Sequence, residues 1–63
     1  MDKHKLLAQW LVDYYFMKSN LRLGQAFCNR FIPDIAWSEL YYEIDDRKSI
    51  VMIYEYVDKN DLA

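Results

Sequence analysis

Apolar residues recur at helical intervals along most of this chain. Leu7, Leu11 and Tyr14, with Trp10 and Met17 beside them, predict a helix over residues 3–18. Asp2 can cap its start by accepting a backbone N–H, and Lys18 lies where a cation favours the last carbonyls. This segment is apolar over more than half its circumference, which implies contact on more than one side. Ser19-Asn20 breaks the pattern, and Asn20 offers a cap for a second helix over 21–32. There Leu23, Ala26, Phe27 and Phe31 fall on one face, while Arg22, Gln25 and Asn29, spaced three and then four apart, share the other. Pro33 ends the segment, because the residue before a proline is pushed out of the helical region.

Asp34 can cap a third, shorter helix over 35–43, with Ile35, Leu40, Tyr41 and Ile44 as its inner face and Trp37 near it. Asp45-Asp46 breaks the run and caps a fourth helix over 47–57, where Ile50, Ile53, Tyr54 and Val57 match the helical template. Asp58 to Ala63 are polar and predicted to fray. The expected fold is all-α, a small bundle of three to four short helices in one domain spanning residues 1–63. The alternative is α+β, with a C-terminal β-hairpin over residues 40–57, since Leu40–Ile44 and Ile50–Val57 are rich in β-branched and aromatic residues. Against it, Asp45–Ser49 lacks the glycine and asparagine that tight hairpin turns favour.

Gly24 is the only glycine and sits inside the second segment, where it costs about 1 kcal/mol relative to alanine. A glycine there marks close packing of another element, and the first helix is the expected neighbour.

Sixty-three residues bury a modest core, yet 54% are apolar and 17% aromatic. That surplus points to rings at a subunit or partner interface. Trp10, Tyr14, Tyr15 and Met17 on the first helix, with Trp37, Tyr41 and Tyr42 on the third, are residue types that anchor interfaces. For Trp10 and Tyr14, core or homo-oligomer contact is preferred over a foreign partner. Charge divides unevenly. Residues 1–30 carry five Lys and Arg against two Asp, and residues 31–63 carry three against eight Asp and Glu. Opposed halves can attract within one copy or between copies.

Catalytic chemistry finds no purchase in these residues. His4, the only histidine, is expected at a frayed start, exposed and without an orienting partner. One cysteine and one histidine cannot assemble a zinc site, and no cofactor is implied. Cys28 lies amid Phe27 and Phe31 and reads as a small core hydrophobe, with no intrachain disulfide. There is no glycine-rich phosphate loop. Arg22, Gln25 and Asn29 form a candidate polar face that could bind a carboxylate or phosphate, or could bond to each other, to a backbone carbonyl or to a loop. One specific version ties Arg22 to Asp45-Asp46. No run is long enough to span a membrane and no signal peptide is visible, so a cytoplasmic protein is expected. A small DNA-binding regulator is the alternative function, weakened by the net charge of −2 and by basic residues that line no single face.

Arg22-Leu23-Gly24-Gln25-Ala26-Phe27-Cys28-Asn29 resembles the R-x-G-Q-x-x-x-N signature of many short bacterial and phage proteins of unassigned function, matching at Arg22, Gly24, Gln25 and Asn29. In length and character the whole chain is also similar to the small proteins that lambdoid phages encode between the exonuclease and excisionase genes. This resemblance implies a small, early-expressed, cytosolic, helical regulator acting by contact with itself or a host protein, affecting host physiology or the lysis–lysogeny decision. It supplies no active site.

Overall fold

A computed structural model describes residues 2–17 and 20–60. Its elements are α1 (Lys3–Met17), α2 (Leu23–Phe31), α3 (Ser38–Tyr41) and α4 (Asp46–Lys59), and no strand occurs among the described residues. The fold is therefore all-α. The hairpin alternative fails because residues 46–59 form one continuous helix. Asp45 starts it: its Oδ1 accepts the Arg47 N–H at 2.9 Å, and its carbonyl accepts from Ser49 N–H at 3.0 Å.

Asp2 caps α1 as expected, accepting the His4 N–H at 2.9 Å. Leu7 is its buried residue, with Trp10, Leu11 and Tyr14 packed against the core. The dipole role expected of Lys18, and the Ser19 half of the break, lie outside the described residues.

Helix α2 begins at Leu23 rather than 21. Arg22 occupies the N-cap position in extended conformation and makes no side-chain cap bond, so the capping expected of Asn20 is not used. The Tyr14 hydroxyl donates to the Leu21 carbonyl and fixes the chain just before the helix. At the other end Ile32 leaves helical geometry while its N–H still reaches the Cys28 carbonyl, and Pro33 follows.

The third helix is a single turn, not the stretch 35–43. Ile32 to Trp37 form a turn, with Ile35 N–H bonded to the Ile32 carbonyl and Trp37 N–H to that of Ile35. Asp34 caps nothing here; Trp37 stands at the N-cap position and its ring packs on Tyr56 of α4. The far end is cut short by Glu43, whose Oε1 accepts the N–H groups of both Ile44 and Asp45 at 3.1 and 3.0 Å. A carboxylate turned onto its own backbone holds 43–45 out of the helix. Two residues expected on the inner face consequently lie outside: Ile35 is 49% exposed and Ile44 80%, while Leu40 is fully buried.

Helix α4 runs two residues beyond the expected end at Val57. Its last turn is held rather than frayed, because Asp58 is engaged by α1 and the Asn60 N–H and Nδ2 both donate to the Tyr56 carbonyl. Residues 61–63 of the expected frayed tail lie outside the described residues.

The core comprises Leu7, Leu23, Phe27, Cys28, Ile32, Leu40, Ile53 and Val57. Phe27 is its largest member, and burying such a ring stabilises by about 1.5–3 kcal/mol. Helix α2 is the hub, packing on both α3 and α4. Gly24 does mark a close approach, but its neighbour is α3 and not the first helix. A β-carbon there would lie 2.0 Å from the Leu40 carbonyl oxygen.

Candidate functional site

The polar trio does not converge. Gln25 is part-buried and its Nε2 donates to the Tyr41 hydroxyl at 2.9 Å, joining α2 to α3. Arg22 sits with its guanidinium 5.9 Å from the centre of the Tyr42 ring. Asn29 is exposed on the outer surface of α2. The expected tie from Arg22 to Asp45-Asp46 is not made. Asp45 faces Arg47, its own helix neighbour, with Nε at 3.8 Å, and Asp46 accepts from the Tyr15 hydroxyl at 3.0 Å. Local partners two residues away, and a tyrosine from α1, reach these carboxylates first.

The candidate aromatics separate into two groups. Trp10 meets Phe27 and Phe31 edge-on at 5.7 and 5.5 Å and stacks on Tyr14 at 5.8 Å. Trp37 packs on Tyr56 at 5.4 Å, and Tyr41 meets Tyr42 at 5.0 Å. Trp10, Tyr14, Trp37 and Tyr41 are half-buried and form the outer layer of the core. Tyr15 is different: half its surface is exposed, and its ring meets Tyr14 edge-on. Burial raises the pKa of both tyrosines above 10.0; at Tyr15 the bond to Asp46 adds to the effect, and at Tyr14 the negative charge of Asp46 does.

Of the apolar residues that stand furthest into solvent, Met17 and Tyr42 are among the interface anchors expected from the sequence, whereas Phe16 and Val12 are not. Phe16 is 84% exposed, Met17 77% and Tyr42 65%, and Val12, one turn before Phe16, is also exposed. Their signal was present in the chain: Val12 and Phe16 lie four apart on the side of α1 opposite Leu7, which is why that helix read as apolar over most of its circumference.

Three contacts lie near the end of α1 and the starts of α2 and α4. Tyr15 bonds Asp46. The chain runs back from Asp46 through Ile44 to Tyr42. Arg22 lies against Tyr42, Leu21 precedes Arg22, and the Leu21 carbonyl accepts from Tyr14, next to Tyr15.

His4 at the opposite end is not unpartnered, which corrects the sequence expectation. Its Nε2 lies 2.7 Å from Asp58 Oδ1, its ring stacks near-parallel to Tyr54 at 6.2 Å, and Lys3 Nζ reaches the Asp58 carbonyl at 3.4 Å. The partner comes from 54 residues away, beyond any local pattern. Both side chains remain about half exposed. An open groove of about 610 Å³ is lined by Val51 and Met52 together with Glu39, Glu43, Asp45, Arg47 and Lys48. Among the described residues no group of three or more His, Cys, Asp or Glu is placed to hold a metal ion. Cys28 is buried as expected, and burial pushes its thiol pKa up.

Compared with protein-family models, with curated proteins and with solved structures, the chain matches none. No helix among the described residues is long and apolar enough to cross a membrane.

Proposed function

We propose that this chain is a small non-enzymatic accessory or regulatory protein of phage type that works by protein–protein contact in the bacterial cytoplasm. The observation that carries the reading is the balance of apolar side chains. Eight hydrophobic residues are buried, while nine large ones stand exposed among the described residues. Single exposed apolar residues are ordinary, but apolar surface beyond what so small a core covers is what a contact module requires. The resemblance to lambdoid phage proteins supplies the biological setting, in which such contact would alter host physiology or the lysis–lysogeny decision.

The test is capture of partners by the tagged chain from nuclease-treated host lysate, with light scattering on the purified protein. A partner protein held at fixed stoichiometry, or a defined homo-oligomer, is the expected result. A monomer that retains only nucleic acid, with binding that collapses between low and moderate salt, would overturn the reading in favour of a DNA-binding regulator.

A further inference from the structure

We infer that the hollow between α3 and the second half of α4 receives a cationic side chain, a lysine or an arginine, of a partner protein. The inference rests on the contact-module reading and gives it a site and a ligand chemistry.

The hollow holds about 300 Å³. Two rings line it, Trp37 from the start of α3 and Tyr56 from α4. Their centres lie 5.4 Å apart and their planes meet at 39°. Tyr56 in turn meets Phe27 edge-on at 6.3 Å, so this aromatic wall is tied to the largest buried ring of the core. It is in place before a ligand arrives. Glu39 and Glu55, both exposed, line the same hollow, one from each helix. Rings and carboxylates in one hollow favour one class of ligand. A ring quadrupole attracts a cation within about 6 Å of its centre, and a carboxylate accepts charge-assisted bonds from an ammonium or guanidinium. An anion would meet both acids. A neutral apolar group would gain from the rings but desolvate the acids without a partner.

The surrounding field has the same sign. The hollow lies beside the last turn of α4, the negative end of that helix dipole, and every residue lining it belongs to the acidic half of the chain. Among the described residues Lys59 is the one cation in the lining. It follows Glu55 by four positions, the spacing at which two side chains share a helix face. A ligand cation therefore competes with Lys59 for these acids, and Lys59 limits its affinity.

Continuity argues for a protein segment over a free amine. Glu39 and Met52 also line the groove of about 610 Å³, so hollow and groove adjoin. Together they follow one stripe of α4 at intervals of four: Arg47-Lys48, Val51-Met52, Glu55-Tyr56 and Lys59-Asn60. At 1.5 Å per residue the stripe is about 18 Å long, the reach of an extended segment of about five residues. A free amine would use the hollow alone. A segment sets its basic side chain there and lays an apolar neighbour on Val51 and Met52.

The experiment is an NMR titration of the isotope-labelled full chain, read at the tryptophan indole N–H signals. The probes are Nα-acetyl-arginine amide and its uncharged isostere, Nα-acetyl-citrulline amide. Trp10, packed on Phe27 and Phe31 outside this hollow, is the internal reference. The expected result is a saturable shift of the Trp37 signal alone, with a Kd of about 1–10 mM for the arginine probe and binding at least about tenfold weaker for the citrulline probe. Glu39→Gln combined with Glu55→Gln weakens binding about fivefold, and Lys59→Gln strengthens it about twofold. All three positions are exposed, so the fold is kept, which circular dichroism verifies. A blocked Leu-Ala-Arg-Ala-Leu peptide binds about tenfold tighter than the single residue and also shifts the Val51 amide. No saturable Trp37 shift by about 50 mM, an equal response to citrulline, weaker binding after Lys59→Gln, or a peptide no tighter than the single residue overturns the inference. The two readings fail separately. A host protein captured undiminished by the doubly substituted chain overturns the site and leaves the contact module. A monomer whose Trp37 responds to arginine but that captures no protein defeats the contact module and gives the hollow to a free organic cation.

Discussion

Gly24 and Leu40 are in direct backbone contact: the Leu40 carbonyl oxygen occupies the space into which any side chain at position 24 would project, 2.0 Å from an ideal β-carbon. That contact lets α2 and α3 approach without an intervening side chain and draws the fully buried Leu40 into the core. Replacing Gly24 by alanine would gain about 1 kcal/mol of helix propensity on its own. The obstacle is backbone, which cannot rotate away, so the helices must separate. We expect Gly24→Ala to be net destabilising by about 2 kcal/mol or more, lowering Tm by roughly 10 °C in a domain of this size. A thermal melt in which the variant gains stability would refute the contact.

Ser49 presents the opposite case. It is fully buried on α4 and its hydroxyl has no hydrogen-bond partner among the described residues. An unsatisfied buried hydroxyl costs about 1–3 kcal/mol, and alanine is the better helix former. Ser49→Ala is expected to be neutral or to stabilise by up to about 1 kcal/mol, measured by urea denaturation. A loss of more than that would mean the hydroxyl has a partner.

The clasp between His4 and Asp58 joins the first turn of α1 to the last turn of α4. Between half-exposed groups its coupling is expected to be about 0.2–1 kcal/mol, read from a double-mutant cycle with His4→Gln and Asp58→Asn. Its effect on local order is larger than on global stability. Amide exchange should quicken in the last turn of α4 in either variant, and unchanged exchange there would show that the helix end holds by itself.

Tyr15 predicts an alkaline limit. Burial raises its folded-state pKa above the ordinary 10.0, the bond its hydroxyl donates to Asp46 adds to the rise, and the neutral form is thus favoured by folding. The sign follows directly: this stabilisation is present in full below pH 10 and is lost as pH rises through the raised folded value. Unfolding free energy should therefore fall with pH in the alkaline range, and Tyr15→Phe should flatten that fall while lowering stability at neutral pH. An identical alkaline slope in wild type and variant would exclude the role.

What the chain discloses in advance is whatever depends on near neighbours. The start of α4 is legible because Asp45 and the Arg47 N–H lie two residues apart, and the end of α2 because Pro33 acts on the residue before it. The third helix was overestimated because Glu43 spends its carboxylate on the two N–H groups that follow, an option no periodicity records. Gly24 announced a close approach without naming the element, since the identity of the neighbour is a matter of topology. The same holds for His4, which meets a carboxylate 54 residues on. The surplus of apolar residues is legible in the sequence, and which of them stand exposed is not. Spacing placed Trp10 and Tyr15 on candidate terms alike, but packing on Phe27 and Phe31 draws Trp10 toward the core, whereas the neighbouring turn leaves Phe16 and Met17 in solvent.

Cys28 gives the molecule a chemical clock. Only 5% of its surface is exposed, and burial disfavours the thiolate that reagents attack. Alkylation must therefore wait for the core to open. Where reclosing is faster than the reagent, the rate at which the thiol is consumed reports the fraction of time the interior stands open, on unlabelled protein and at any temperature.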